Sequence, residues 1–308
     1  MTHFLSLADY TPEELRHILD LAIDLKDEWK AGGNDPLLKN KVLAMVFQKP
    51  SLRTRVSFDM AMRHLGGDAL FLSPNEIGLG KRESIADVSK VLSGFVDAIM
   101  ARVFSHAHIL ELAQHAGVPV INGLSEFNHP CQAMADALTM LEHHGELKGL
   151  NLAYVGDGNN VAVSLMHLSA QMGMNFTASS PEGYQIPNET LAQARALGKN
   201  GPANLELNSD PHQAVQGANV IYTDTWTSMG QEKENQKRMV VFPPYQINSR
   251  LVSEAEGDVI VMHCLPAHRG FEITDEVADG SHSVIFQQSE NRMHAQKAIL
   301  VHLLNKSA

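Results

Sequence analysis

The sequence predicts an α/β protein built from two doubly wound parallel-sheet domains. Short apolar runs of the kind that form buried strands alternate along the chain with stretches that have helical spacing. The strand runs are continuously apolar, as expected where helices cover both faces of a parallel sheet. Polar side chains follow the carboxyl ends of six predicted strands, and ligands bind at that edge of open parallel sheets.

The predicted strands fall into two sets. They are residues 42–47, 69–72, 98–101 and 118–121, then 152–155, 176–179, 205–207, 220–222 and 259–263. Helical spacing predicts helices over residues 12–30, 53–65, 83–92, 107–116, 132–143, 161–172, 189–197 and 292–304. The polar stretch 143–149 separates the two sets, so we predict a domain boundary there.

Composition and charge exclude several classes of protein. The 308 residues suffice for two domains with separate cores. A formal net charge of -11 argues against sequence-independent nucleic-acid binding, which needs a positive face. We expect no membrane span and no secretory signal, because no apolar run is long enough and the N-terminus lacks a basic region. With 2 cysteines the chain is not a disulfide scaffold, and we expect a cytoplasmic protein.

The segment Ser51-Leu52-Arg53-Thr54-Arg55 is the first candidate binding site. It follows a predicted buried strand and opens a predicted helix, for which Ser51 is a suitable N-cap. The N–H groups of a first helical turn, the positive end of the helix dipole and arginine side chains together bind anions such as phosphate. Considered alone, the same residues suit equally well an ordinary capped helix with solvated arginines.

Arg102, His129 and Gln132 follow other strands of the first half. If Arg102 lies near the Ser51 turn, it supplies a second cation for the same anion. His129 and Gln132 are one helical turn apart, so both side chains can face one ligand. A structural ion pair for Arg102 and an N-capping turn around His129 are the alternatives.

The segment Gly156-Asp157-Gly158-Asn159-Asn160 has the position of a dinucleotide-binding loop, after a strand and before a helix. Val161 stands where the fingerprint needs its third glycine, and the next strand ends in Ser179-Ser180 without a carboxylate for ribose. We therefore expect no nicotinamide cofactor. An amide such as Asn160 at this helix start can instead hold a zwitterionic ligand.

Asp224 and Cys264 are candidates in the second half. Asp224 supplies a carboxylate for an ammonium group, and the loop Ser228-Met229-Gly230 supplies a hydroxyl and freedom of movement. His263 and Cys264 are adjacent in a strand and point to opposite faces, so His263 is badly placed to activate the thiol as a nucleophile.

The 16 histidines do not have the spacing of a metal site. His263, Cys264 and His268 come closest to a ligand cluster, but Pro266 interrupts them and no HExxH or paired CxxC motif is present. We predict no metal site.

Taken together, these motifs resemble the aspartate/ornithine carbamoyltransferase superfamily, and within it the ornithine carbamoyltransferases. The resemblance runs nearly from end to end. It rests on Lys49-Pro50-Ser51-Leu52-Arg53-Thr54-Arg55, Arg102, His129-Pro130-Cys131-Gln132, Asp157-Gly158-Asn159-Asn160, Asp224 with Ser228-Met229-Gly230, His263-Cys264-Leu265-Pro266 and Glu290-Asn291-Arg292. Leu52 departs from the family pattern, which usually has threonine at this position, although its backbone N–H remains.

The resemblance implies transfer of the carbamoyl group of carbamoyl phosphate to the δ-amine of L-ornithine, giving citrulline and phosphate without a cofactor. It implies that carbamoyl phosphate binds Ser51, Leu52, Arg53, Thr54, Arg102, His129, Gln132, Cys264, Leu265 and Arg292. It implies that ornithine binds Asn160, Asp224, Ser228 and Met229, and that Arg102, His129 and Cys264 are catalytic.

The resemblance also has implications for domains and assembly. It implies a carbamoyl-phosphate-binding domain of residues 1–145, joined by the C-terminal helix of about residues 288–308, and an ornithine-binding domain of residues 146–287. It implies that the active site lies in the cleft between these domains. It further implies a homotrimer with sites at the subunit interfaces.

An N-acylornithine carbamoyltransferase is the alternative within the superfamily, since leucine or methionine at the position of Leu52 also occurs in those enzymes. Against this alternative, a blocked α-amino group would leave Asp224 without its cation. A periplasmic amino-acid-binding protein would need a signal segment and would have no use for the arginine-rich turn.

Overall fold

The computed structural model describes residues 2–198, 203–228 and 230–305, apart from the side chain of Glu232. The chain divides into two compact units. Unit 1 comprises Met1–Leu138 and Glu290–Ala308, and unit 2 comprises Thr139–Ser289. The sequence predicts these divisions after residues 145 and 287.

Unit 1 contains a parallel sheet. Its strands are β1 (Val42–Phe47), β2 (Asp68–Leu72), β3 (Ala98–Arg102) and β4 (Val120–Leu124). They pair in the order β2-β1-β3-β4, and the register places Phe47 of β1 opposite Arg102 of β3.

The helices of unit 1 surround this sheet in sequence. They are α1 (Pro12–Lys30), α2 (Leu52–His64), α3 (Pro74–Ile77), α4 (Ile85–Ser93), α5 (His106–His115) and the first part of α6 (Pro130–His144). The start of α1 is fixed by a capping box, in which Thr11 and Glu14 each accept the backbone N–H of the other.

Unit 2 contains a second parallel sheet. Its strands are β5 (Asn151–Val155), β6 (Asn175–Ser179), β7 (Leu205–Asn208), β8 (Val220–Thr223) and β9 (Ile260–His263), in the order β7-β6-β5-β8-β9. The helices are α7 (Asn160–Met172), α8 (Asn188–Leu197), α9 (Pro211–Ala214), α10 (Asn235–Val241), α11 (Ser249–Val252) and α12 (Asp275–Ala278). The last helix of the chain is α13 (Ile285–Leu304).

Both sheets are doubly wound, as the sequence predicts. In unit 1 the chain moves one way from β1 to β2 and the other way from β2 to β3 and β4. Because such crossovers are right-handed, α2 lies on one face and α4 and α5 lie on the other. The hydroxyl of Ser89 in α4 donates to the carbonyl of Leu112 in α5 at 2.7 Å, which joins the two helices on that face.

The strand order reverses between β1 and β3 in the first sheet and between β5 and β8 in the second. These are the topological switch points, where the loops that follow the two neighbouring strands run to opposite faces of the sheet. A crevice opens between the loops at the carboxyl edge of the sheet. In unit 1, Ser51 follows β1 and Arg102 ends β3, the two strands beside the crevice. In unit 2, Asn160 follows β5 and Asp224 follows β8. The predicted ligand-binding residues therefore follow the strands at which crevices form.

Most predicted elements begin within two residues of their predicted starts, and two of the differences have a clear physical reason. Strand β4 starts at Val120 and not at residue 118, because Pro119 has no N–H to donate to the sheet. Helix α13 starts at Ile285, well before the predicted residue 292. Gln288 in its first turns is fully buried, accepts the His263 N–H at 2.8 Å and donates to Tyr222 at 3.0 Å, so a buried polar residue interrupts the apolar pattern.

Each unit has its own hydrophobic core. In unit 1 it includes Val46, Ile99 and Val120, and in unit 2 it includes Val155, Ile221 and Val261. Among the described residues, no helix combines the length and the apolar character needed to cross a membrane.

Because His167 in α7 is buried, we expect the folded protein to lose stability in acid. Burial lowers the pKa of His167 from 6.5 to about 4. Between these values the unfolded chain binds a proton that the folded chain does not, so acidification favours unfolding. We expect this residue to lower the free energy of unfolding by about 2 kcal/mol between pH 7 and pH 5. Denaturant titrations at pH 7 and pH 5 should show that the free energy of unfolding differs less between the two pH values in His167→Gln than in the wild type. The exposed His143→Gln is the control, and an unchanged difference in His167→Gln would contradict the prediction.

Candidate active site

Ser51 forms the predicted N-cap of α2. Its backbone is extended, its Oγ accepts the Thr54 N–H at 3.2 Å, and its hydroxyl donates to Thr54 Oγ1 at 3.1 Å. The N–H groups of Leu52 and Arg53 lie in the first turn, where they have no intrahelical acceptor, and point out of the helix start. The turn after β1 therefore presents backbone donors and the positive end of a helix dipole.

Arg292 of α13 reaches the same turn. Its Nη2 donates to Thr54 Oγ1 at 2.8 Å, and both side chains are buried. The contact joins residues that are 238 positions apart in the sequence. The C-terminal helix thus adds a guanidinium to the predicted anion site.

The two arginines of the turn have different surroundings. Arg53 is half-buried, and its Nε is buried without a hydrogen-bond partner among the described residues. The guanidinium of Arg55 lies over the ring of Phe71, 4.0 Å from the centroid. Arg53 is therefore the arginine available to an anion, whereas Arg55 packs on an aromatic ring. The side chain of Leu52 is 74% exposed, so only its backbone is suited to anion binding.

His129 is neutral in this environment. Burial lowers its pKa well below 6.5, and the positive charges of Arg292 and Arg102 lower it further. A neutral imidazole donates one hydrogen bond without adding charge. The same electrostatic interactions show that Arg102, His129 and Arg292 form one cluster, as the predicted site requires.

Gln132 follows His129 by one helical turn and is also buried. Its Nε2 donates to Asp136 Oδ1 at 2.8 Å, which fixes the orientation of the amide. Its Oε1 is buried without a hydrogen-bond partner among the described residues. Gln132 therefore offers an oriented carbonyl acceptor.

In unit 2 the carboxylate of Asp224 is held on both oxygens. Asn159 donates to Oδ2 at 2.7 Å, and the Thr225 N–H donates to Oδ1 at 2.8 Å. The Cys264 thiol donates to Oδ1 at 3.0 Å. The predicted ammonium-binding carboxylate and the predicted reacting-centre cysteine are therefore neighbours.

Asn159 was not predicted as a site residue. Its Oδ1 caps α7 by accepting the N–H groups of Val161 at 2.9 Å and Ala162 at 3.2 Å, while its Nδ2 orients Asp224. Asn160 is the first residue of α7 and is half-buried. It thus lies at the positive end of a helix, which suits a carboxylate. The sequence feature that could have identified Asn159 is its position directly before a predicted helix, where asparagine is a favoured N-cap.

Ser228 and Leu265 lie on the loops that follow β8 and β9. The Ser228 N–H donates to Gln231 Oε1 at 3.1 Å, and Met229 lies outside the described residues. Leu265 has a positive φ of 58°, and its N–H donates to His263 Nδ1 at 2.8 Å.

Arg238 and Asp157 form a buried ion pair that sequence reasoning missed. Arg238 Nη1 donates to Asp157 Oδ2 at 2.7 Å and to the Trp226 carbonyl at 2.6 Å. Burial raises the pKa of Asp157 from 3.8 to about 6, although Arg238 opposes this shift. Arg238 lies in a strongly polar stretch, 231–238, whose composition resembles that of a solvated surface. The pair ties the segment that leads to Ser228 to the end of β5.

Ligand-type atoms of Asp224, His263 and Cys264 lie within 4.8 Å of one another. The side chains of His263 and Cys264 therefore do not point to opposite faces as predicted, because β9 ends at His263 and Cys264 lies in the loop that follows. Both ring nitrogens of His263 are already hydrogen-bonded, Nδ1 to the Leu265 N–H and Nε2 to Glu272 at 3.1 Å. The thiol is bonded to Asp224. These bonds would have to break for the three residues to bind a metal, so the donor set does not fit a metal centre.

Family models match both units of the chain. The model of the aspartate/ornithine carbamoyltransferase carbamoyl-P binding domain matches residues 2–142, and that of the Asp/Orn binding domain matches residues 148–303. The chain belongs to the aspartate/ornithine carbamoyltransferase family. This membership confirms the resemblance that the sequence motifs indicate.

Several members of the family are similar over their whole length. The chain is 50% identical to the ornithine carbamoyltransferase of Anoxybacillus flavithermus over 98% of this chain and 96% of that protein. It is 52% identical to the ornithine carbamoyltransferase of Archaeoglobus fulgidus over 100% of this chain and 99% of the relative. The solved ornithine carbamoyltransferase of Pyrococcus furiosus superposes with a TM-score of 0.96 at 50% identity, covering 99% and 98% of the two chains.

Proposed function

We propose that the protein transfers the carbamoyl group of carbamoyl phosphate to the δ-amine of L-ornithine, giving L-citrulline and inorganic phosphate. The observation that supports this most directly is the chemistry at the two switch points. One carries a helix start with arginines and a neutral histidine, and the other carries a carboxylate beside a helix start. The first suits a doubly charged acyl phosphate, and the second suits the ammonium and carboxylate of an amino acid.

Carbamoyl phosphate is proposed to bind on unit 1. Its phosphate accepts the N–H groups of Leu52 and Arg53, the Ser51 and Thr54 hydroxyls and the Arg53 guanidinium. Arg292 adds positive charge through its position beside Thr54, at 2.8 Å. Bidentate guanidinium contacts and a helix start are the usual ligands of phosphate in proteins.

Arg102 and His129 are proposed to polarise the carbamoyl oxygen, where negative charge develops in the tetrahedral transition state. Because burial keeps His129 neutral, it acts as a hydrogen-bond donor and Arg102 supplies the charge. Gln132 accepts from the carbamoyl NH₂ through its Oε1, since its Nε2 is committed to Asp136.

Ornithine is proposed to bind on unit 2. Asp224 receives its α-ammonium, and Asn160 with the start of α7 receives its carboxylate. The family resemblance further assigns Ser228 and Met229 to ornithine, and Cys264 and Leu265 to the reacting carbamoyl group. The loop that carries Ser228 then excludes water from the bound carbamoyl phosphate.

In the reaction, the neutral δ-amine attacks the carbamoyl carbon, a C–N bond forms, and the C–O bond to phosphate breaks. The amine gives its proton to the departing phosphate, which leaves with the bonding electron pair as inorganic phosphate. Arg53 and Arg292 offset the charge on that leaving group, in the same way as they hold it in the substrate.

We also infer that the protein acts in the cytoplasm as a homotrimer whose sites lie at subunit interfaces. The family resemblance supports this assembly. Leu52 is 74% exposed and Val56 is 48% exposed on the turn and helix that carry the phosphate site. A second copy of the chain that covers these apolar side chains would border the site directly.

The proposed function is tested by incubating the protein with carbamoyl phosphate and one of four amines, and measuring the ureido product by colorimetry. The amines are ornithine, N-acetylornithine, putrescine and aspartate. We expect turnover of ornithine, because it alone among the four combines the α-ammonium and carboxylate that Asp224 and Asn160 are proposed to bind with a free side-chain amine. A preference for N-acetylornithine would identify an N-acylornithine enzyme. No turnover with any amine would contradict the proposed reaction.

Asp224→Asn is expected to raise KM for ornithine at least tenfold and to leave carbamoyl phosphate binding nearly unchanged. The substitution removes the charge that faces the α-ammonium, and a charged hydrogen bond contributes about 1.5–3 kcal/mol. Steady-state kinetics with each substrate varied in turn measure both effects. The control is Asp279→Asn, which removes an exposed carboxylate of unit 2 that pairs with Arg269. Equal damage to the use of both substrates would refute the ammonium role.

A further inference from the structure

Glu272 lies fully buried behind the loop that follows β9. Its Oε1 accepts from His263 Nε2 at 3.1 Å and also from the backbone N–H of His268. The carboxylate therefore holds two points of the segment between residues 263 and 268. Glu272 is not among the residues assigned to substrate binding above.

His263 links Glu272 to the residues that follow it in the chain, because its second ring nitrogen contacts Leu265. Its Nδ1 accepts the Leu265 N–H at 2.8 Å, so this nitrogen carries no proton and Nε2 carries it. A carboxylate at Nε2 selects this tautomer, because it can only accept. The alternative tautomer would place two donors, the ring Nδ1–H and the Leu265 N–H, against each other.

Leu265 needs such support. Its φ of 58° is a left-handed conformation that a leucine rarely adopts and that surrounding contacts must maintain. The preceding residue, Cys264, directs its thiol to Asp224 Oδ1 at 3.0 Å. The backbone shape at these two residues thus decides where the thiol lies relative to the carboxylate proposed to bind ornithine.

We propose that Glu272 is a positioning residue for the reaction, acting through the tautomer of His263 to hold the Cys264–Leu265 turn. The proposal rests on the proposed function for its kinetic test and deepens it by adding a residue that touches neither substrate. At metal sites, removing the hydrogen-bonded partner that orients a histidine typically costs about 10–100-fold in activity, and we expect a loss of the same order here.

Two substitutions at Glu272 separate the positioning role from a structural one. Glu272→Gln keeps an oxygen that accepts from His263 Nε2, and its side chain has nearly the same size and shape as that of Glu272. We expect Glu272→Gln to retain kcat within about threefold and Glu272→Ala to lose about 10–100-fold. Equal kcat in both variants would overturn the proposal.

A double-mutant cycle tests whether Glu272 acts through His263. In His263→Asn the amide oxygen can replace Nδ1 as the acceptor for Leu265, but the side chain no longer reaches Glu272. Adding Glu272→Ala to this variant is expected to change kcat less than twofold, since the link is already broken. A full additional loss would show that Glu272 acts by another route. If Glu272→Ala does not fold, His263→Gln provides the test, because it keeps a donor for Glu272 and loses the acceptor for Leu265.

The rate of alkylation of Cys264 by iodoacetamide gives a readout that does not depend on turnover. Cys131, the other cysteine, is buried and burial raises its pKa to about 12, so it reacts slowly. We expect alkylation at least threefold faster in Glu272→Ala than in the wild type, and an unchanged rate in Glu272→Gln. An unchanged rate in both variants would refute the positioning role.

Glu254→Ala is the matched control. Glu254 pairs with His212 at 2.9 Å in the same unit, but this pair is partly exposed and belongs to no proposed site. Its kcat and its alkylation rate should equal those of the wild type. If the wild type fails to carbamoylate ornithine, the proposed function is wrong, whereas the alkylation rates still test the positioning of Cys264.

Discussion

Arg53→Ala is expected to reduce kcat/KM for carbamoyl phosphate by at least about 10²–10³-fold while the protein remains folded. The side chain is half-buried, and its Nε has no hydrogen-bond partner among the described residues. Its removal therefore costs few contacts within the protein, and the loss falls on the bound phosphate and on the charge of the leaving group. Steady-state kinetics at saturating ornithine and calorimetric titration with inorganic phosphate measure the two effects.

The matched control is Arg63→Ala in the same helix. Arg63 pairs with Asp59 at 2.7 Å on the exposed face of α2, so its loss changes the net charge equally without touching the turn. We expect wild-type kinetics and wild-type phosphate binding from this control. Near-normal activity of Arg53→Ala would contradict the proposal that the phosphate binds at the start of α2.

Arg238→Ala is expected to lower the free energy of unfolding by about 3–5 kcal/mol and to raise KM for ornithine. The substitution leaves Asp157 buried without its cation, which is the costly way to break a buried ion pair. It also releases the Trp226 carbonyl, which Arg238 holds at 2.6 Å two residues before Ser228. Denaturant titration and kinetics with varied ornithine measure the two losses, and an unchanged KM would contradict the link to Ser228.

Removing both charges should be less harmful than removing one. In the double variant Asp157→Asn with Arg238→Gln no unpaired charge is buried at this pair, so we expect most of the lost stability to return. Arg269→Ala is the control, because Arg269 pairs with Asp275 and Asp279 on the exposed surface, where ion pairs contribute little to stability. A double variant as unstable as Arg238→Ala would refute the role of the unpaired carboxylate.

Much of the fold and part of the candidate site could be predicted because local signals agree with tertiary structure there. Ser51 caps α2 as its position before an apolar-periodic stretch predicts, and Asp224 follows a predicted strand. Strand alternation and polar strand ends place these residues at one edge of each sheet without any knowledge of the sheet order. The order itself, and hence the switch points, depends on long-range pairing that periodicity does not contain.

Other features could not be predicted because buried polar residues look like surface residues in a sequence. Gln288 lies in the part of α13 that precedes the predicted start, and it is buried although polar. Arg238 lies in a polar stretch of sequence, yet only 4% of Arg238 is exposed. Glu272 is a carboxylate in a loop, and only the structure brings His263 to it. In each case a specific partner offsets the cost of burying the polar group, and the partner lies far from it in the sequence or in another element.

Unit 2 interrupts unit 1 in the sequence, since Glu290–Ala308 belongs with Met1–Leu138. A ribosome therefore synthesises the whole of unit 2 before it supplies Arg292, whose guanidinium meets Thr54 at the start of α2. The turn at the start of α2 is synthesised before unit 2, and Arg292 is synthesised after it. A nascent or prematurely terminated chain can thus contain the whole of unit 2 and still lack one guanidinium of the proposed anion site.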